Sequence, residues 1–319
     1  MRHKTRARVR KLLQTLNPRD YERFEKIRIN DLGFGYDSFG LEIESAMAVF
    51  TLVQYFYEHW FRVDSYGVEN IPEEGAVLLT PNHSGIIPID GAMIAIDLIK
   101  KMEKPRLTRA VLYNSAGFIP FLGTFFYRSG QISGARRNFE EALRQGELVS
   151  AFPEGSKGTW KGFNDRYRLK PFNVGFMELS LIYRTPIVPT AVIGAEEQYP
   201  FMTNVEPLAR MLRLPYFPLS PFFPLLGPIG MLPLPTKYSI SYGEPFHFYR
   251  EYGPETVRKP DVIRMLAEKV RTRIEEMLAE GLRNRQGVFG LAASRGPRSL
   301  PGKILARLIG DGAQAESRT

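Results

Sequence analysis

The feature that most constrains this chain is a set of short, strand-length apolar runs, each passing directly into a polar, glycine-bearing turn. AVLLT at 76–80 runs into PNHSG, LVSAF at 148–152 into PEGSKG, and IVPTAVI at 187–193 into GAEE. Runs of five to seven apolar residues are too short for helices and suit strands buried on both faces. Further strands are expected at Arg109–Tyr113 and Tyr238–Tyr242. Between them lie helical patterns at Asp90–Met102, Arg136–Gln145 (closed by Gly146), Asn173–Tyr183 and Asp261–Glu280. Strands alternating with helices predict an α/β fold, a sheet flanked by helices.

Around that unit the chain divides in three. Residues 1–62 form a basic, helical N-terminal element ending in an aromatic helix over 42–62. Residues 63–285 hold the strand–helix unit, and 286–319 read as a basic, mostly disordered tail. No signal peptide is visible, and no apolar run reaches the ~18 residues of a spanning helix. The longest uncharged stretch, Leu214–Thr236, holds seven prolines, which a regular helix cannot accommodate.

The net charge of +9 favours phosphate-rich or anionic partners. It does not by itself indicate nucleic acid, because the basic residues do not interleave with aromatics and no binding motif is present. With no cysteine, thiolate metal sites, disulfides and a cysteine nucleophile are excluded together.

Of the four histidines, His83 alone sits where a buried strand ends, in TPNHSGIIPID, with Asp90 opening the next helix. Reactive groups of α/β proteins gather at such strand ends. A histidine can take a proton from an alcohol near neutral pH, and a carboxylate on its other ring nitrogen fixes the tautomer and steadies the imidazolium. On this segment alone, His83 as a strand cap and Asp90 as a helix cap is an equal alternative.

Three other segments add to it. The turn after Leu148–Phe152 offers Glu154, Gly155, Ser156 and Lys157, a carboxylate, backbone N–H groups, a hydroxyl and a cation suited to a polar head group. In LGTFFYRSG, Arg128 leaves an aromatic run and could fork onto phosphate; alone it reads as a surface arginine. Pro189 interrupts an apolar strand, which implies an edge, a bulge or a functional kink.

Taken together, NHSGIIPID, GTFFYR, FPEGSKG and IVPTAVIG resemble, in order and approximate spacing, the four blocks of the glycerolipid acyltransferase family, the lysophospholipid acyltransferases that include 1-acylglycerol-3-phosphate acyltransferase. The resemblance covers residues 64–250. It implies an α/β fold with a mixed sheet and an N-terminal helical element that docks on membrane. It implies His83 as general base, Asp90 as its partner, Arg128 on the acceptor phosphate, and Glu154, Gly155, Ser156 and Lys157 around the acceptor. Pro189 would shape the acyl-donor side. The uncharged proline-rich stretch with Phe222 and Phe223 reads as an apolar surface loop that lines the acyl path or dips into lipid, or equally as a buried crossover packed on the sheet. The family uses an acyl-CoA or acyl carrier protein thioester as co-substrate, with no metal and no bound cofactor, at the cytoplasmic face of a membrane. Two departures stand out. Six residues separate His83 from Asp90 where the family usually has four, a spacing that resembles acyltransferases of neutral glycerides and other alcohols. The arginine block is also one residue short, which lets Arg128 point elsewhere and Arg136 or Arg137 take its place. A lysophospholipid and a neutral acceptor such as diacylglycerol therefore both stay open, as does a non-catalytic lipid-binding protein on the same scaffold. No G-x-S-x-G elbow is present, which argues against a serine esterase.

Overall fold

A computed structural model of the chain describes residues 3–290, except 28, 85–87, 113–121, 156–157, 159–160, 162, 201–202, 212–217, 220–224, 228–229 and 231. Phe222, Phe223, Ser156 and Lys157 thus lie outside the described residues, as do 291–319.

The chain opens with helices α1 (His3–Leu16), α2 (Pro18–Glu25) and α3 (Ile43–Tyr55), the last running on through a π-helical turn, Phe56–Trp60. Next come β1 (Asp64–Tyr66), β2 (Val77–Pro81), α4 (Ile89–Lys101), β3 (Thr108–Leu112), α5 (Leu122–Arg128) and β4 (Ile132–Ser133). They are followed by α6 (Arg136–Arg144), β5 (Leu148–Ser150), α7 (Gly175–Tyr183), β6 (Ile187–Ile193), β7 (Thr203–Asn204), α8 (Glu206–Met211), β8 (Pro218–Leu219), β9 (Ser239–Tyr242) and α9 (Pro260–Asn284).

Seven strands form one mixed sheet in the order β1-β9-β6-β2-β5-β3-β4. From β6 to β4 all neighbours are parallel, and β9 runs antiparallel to β6. The central strands are buried throughout, as parallel strands covered on both faces must be.

Successive side chains point to opposite faces. Val77 and Leu79 face one core with Val188 and Val192, whereas Leu78 faces the other with Val149 and Ile187. The first core receives Leu13, Phe24, Met47 and Phe50 from α1–α3, together with Ile94 and Leu98 from α4. The second receives Leu143, Phe176, Leu266 and Ile274 from α6, α7 and α9. The N-terminal helices are therefore one layer of a three-layer packing, with no boundary in the core at residue 62.

The expected elements form within a few residues of their anticipated ends. Gly146 closes α6 with φ +74°, its N–H on Leu143 and that of Glu147 on Ala142, the paired bonds of a left-handed helix stop. Two short strands, β1 and β4, carried no pattern strong enough to announce them. The N–H of Lys237 bonds Val288 O at 2.8 Å and Arg62 bonds Phe289 O at 3.0 Å, so 286–290 pack on the domain.

The anomaly at Pro189 resolves as a bulge. Thr190 faces Tyr242 across the β6–β9 pair, but Ile187 faces Phe246, so one extra residue is accommodated between Gly243 and Phe246. Gly243 donates to Pro189 O at 2.9 Å. The ladder bond that proline cannot make falls where β9 has ended, so its absence costs little.

Candidate active site

Strands β6, β2 and β5 are neighbours and parallel, so the three glycine-bearing turns that follow them meet at one edge of the sheet. His83 leaves β2 there. Its Nδ1 lies 2.8 Å from Asp90 Oδ2, and its side chain is 16% exposed against 0% for Asp90. Asp90 is held in turn by the N–H groups of Ser84 at 3.1 Å and Gly91 at 2.8 Å, in the first turn of α4 where a carboxylate is favoured. A carboxylate can only accept, so Nδ1 carries the hydrogen and Nε2 the lone pair. No described residue bonds Nε2. Phe152 packs on the imidazole, centroid to centroid 4.5 Å. The result is an oriented base with one nitrogen committed to a buried carboxylate and the other free for a hydroxyl.

Glu154 enters the site differently from the expected contact with an acceptor. Its side chain is 0% exposed. It accepts from the His83 N–H at 3.0 Å, the Lys170 N–H at 2.8 Å and the Lys161 ammonium. A carboxylate with these three partners braces the backbone of the base, and the direct acceptor contact is corrected accordingly. Gly155, exposed with φ +57°, carries the turn outward.

Two expected residues are not brought to His83. Arg128 is exposed at the end of α5, its carbonyl bonded to the N–H of Glu42. Gly130, two residues on, sits against Thr108 and Arg109 near the start of β3. By register that level matches Val149 and Leu78, five residues or roughly 16 Å back from His83 along the strands. Helix α5 carries the chain away from the site, which is why the arginine block ends there. Arg136 is engaged by Glu140 and Glu178. Pro189 pairs with Thr80, below the level of His83, and is buried; it shapes the β6–β9 bulge, not the mouth.

Sequence reasoning missed Lys161 and Glu196. The Lys161 side chain, 3% exposed, lies 2.8 Å from Glu154 and 3.1 Å from Glu196. Glu196 also accepts from the Tyr167 N–H at 2.6 Å, and burial, ahead of these partners, raises its carboxyl above the ordinary range. Neither residue matches a recognisable spacing, because their partners come from different strand ends. Asn82, next to His83, locks β2 to β6 by donating to Val192 O at 3.0 Å and accepting from the Val192 N–H at 2.7 Å.

The acyltransferase family model matches residues 62–193, which span His83, Asp90, Glu154 and all of β6. An uncharacterized protein of Mycobacterium tuberculosis is 38% identical over 258 residues, 80% of this chain and 72% of that one. The bovine DGAT1/2-independent enzyme synthesizing storage lipids is 25% identical over 240 residues, 72% of this chain and 67% of its own. The crystal structure of PlsC, the 1-acyl-sn-glycerophosphate acyltransferase of Thermotoga maritima, aligns at 14% identity and a TM-score of 0.49, over 88% of this chain and 95% of that one. With the family model matched across the strand ends that hold the His83–Asp90 pair, this chain belongs to the acyltransferase family.

Proposed function

We propose that this protein moves a fatty acyl group from a coenzyme A or acyl carrier protein thioester to the hydroxyl of a glycerolipid acceptor. The observation that carries the reading is the 2.8 Å contact of His83 Nδ1 with buried Asp90, which leaves Nε2 as the base. Nε2 takes the acceptor proton as the oxygen attacks the thioester carbonyl. The tetrahedral oxyanion collapses, the C–S bond breaks, and the departing thiolate recovers the proton from the imidazolium. The chain's own residues supply base and orientation, so the reading requires no metal or bound cofactor.

A neutral acceptor, such as diacylglycerol or another alcohol, is the second reading. It is favoured by the position of Arg128, far from His83, and by the burial of Lys161 between two carboxylates. The storage-lipid enzyme among the relatives points the same way. Among the described residues, no helix is long and apolar enough to cross a membrane. A peripheral or monotopic seat on a membrane is supported by Leu52 and Tyr55, exposed on α3, and by exposed Leu232 and Leu234. These two surfaces are linked where Trp60 Nε1 bonds Pro233 O at 3.0 Å, and large exposed apolar groups gathered together mark lipid or ligand contact.

The test is thiol release from palmitoyl-coenzyme A, and from an acyl carrier protein thioester, with lysophosphatidic acid, other lysophospholipids, diacylglycerol and simple alcohols as acceptors. Acceptor-dependent release that disappears in His83→Ala is the expected result. Release unaffected by His83→Ala removes the proposed base. Absence of release with every donor and acceptor favours the non-catalytic lipid-binding alternative.

A further inference from the structure

The backbone that carries His83 is held from both sides by one buried charge group. On the β5 side, Glu154 accepts the His83 N–H at 3.0 Å. On the β6 side, Asn82 pairs with Val192 and reaches Glu196 at 3.5 Å. Lys161 is bonded to both carboxylates, Glu154 and Glu196. A Cβ on Gly158 would meet Glu154 Cβ at 2.7 Å and His83 Cβ at 3.3 Å, so Gly158 lets the loop lie directly on the base.

An ammonium buried between two carboxylates is expensive to desolvate, and such groups are weak contributors to net stability. What this one does is geometric. It joins the turns after β5 and β6 across the end of β2, and it is too buried to touch a substrate. We propose that Lys161 is a positioning residue for the acyl transfer described above, on which this inference rests. By tying Glu154 to Glu196 it sets the Asn82–His83 backbone, and through it the direction of Nε2.

The experiment compares wild type, Lys161→Met, Lys161→Arg and Glu196→Gln. It reads kcat, KM for donor and acceptor, folded fraction by circular dichroism, and hydrogen–deuterium exchange of the His83 amide. In Lys161→Met, kcat per folded molecule falls ~10–100-fold, the scale of a base misplaced by about 1 Å, while KM stays within about threefold. Exchange of the His83 amide accelerates, and Lys161→Arg recovers most of both. Glu196→Gln, which preserves shape and loosens the same tie, shifts them in the same direction if Lys161→Met does not fold. A kcat that tracks only the folded fraction overturns the proposal, and so does a rise in KM at unchanged kcat. If wild type transfers no acyl group to any acceptor, the functional reading fails by itself. The exchange measurement still decides, since His83 amide exchange equal to wild type in both Lys161→Met and Glu196→Gln overturns the positioning.

Discussion

Asp90 Oδ2 accepts from both His83 Nδ1, at 2.8 Å, and the N–H of Ser84, at 3.1 Å. One carboxylate oxygen therefore fixes the ring and the backbone that follows it. Asp90→Asn keeps the shape but presents an amide that can donate to the ring, favouring the wrong tautomer. We expect kcat to fall on the order of 10³–10⁴-fold, with the melting temperature close to wild type, measured by thiol release and thermal unfolding. A loss under tenfold would show that tautomer control is not what Asp90 supplies.

Arg128→Gln tests the separation of the arginine block from the base. With Arg128 exposed at the end of α5, two residues before Gly130 at the Arg109 level of the sheet, KM for a phosphate-bearing acceptor is expected to change by less than about threefold. A rise of tenfold or more, confined to phosphate-bearing acceptors in steady-state assays, would place that guanidinium at the substrate.

Gly243→Ala probes the bulge opposite Pro189. The added Cβ would lie 2.9 Å from Pro189 Cγ and 3.0 Å from Met277 Sδ, with the proline ring unable to swing aside. Overpacking of this kind costs about 1–3 kcal/mol, visible as a lower urea midpoint at unchanged slope. Wild-type stability would mean that α9 yields at Met277.

Asp97 offers a pH signature. It is buried, and Tyr57, Ser65 and Tyr242 donate to it at 2.5, 2.7 and 2.8 Å. Burial nevertheless raises its carboxyl above the ordinary range, the hydrogen bonds opposing without reversing the shift. The native state therefore holds this proton more tightly than the unfolded chain. Its contribution to stability is fully present below the unfolded value and is lost as pH rises through the native one. Asp97→Asn has no such proton. From about pH 4 upward, wild type should lose stability relative to the variant, read as the difference in urea midpoints at several pH values. A difference growing in favour of wild type would contradict this.

The sequence by itself determined the parts of the site that are local. His83 and Asp90 lie on one strand–turn–helix segment, so the order of residue types already puts a histidine and a carboxylate within reach, although that segment alone reads equally well as a strand cap and a helix cap. The buried strands were legible for the same reason, each being a continuous apolar run ended by a glycine-bearing turn. Pro189 announced an irregularity, because a missing N–H has consequences in any sheet. Only the tertiary structure decided which strand ends meet. The order β6-β2-β5 brings Glu154, Lys161 and Glu196 around the His83 backbone, although residues 83 and 196 are far apart in the chain. It turned Glu154 inward, where the Lys161 ammonium and the His83 and Lys170 N–H groups satisfy the buried carboxylate. It also sent Arg128 toward the far end of β3, because the direction of α5, set by where its apolar face packs, cannot be read from a motif's spacing.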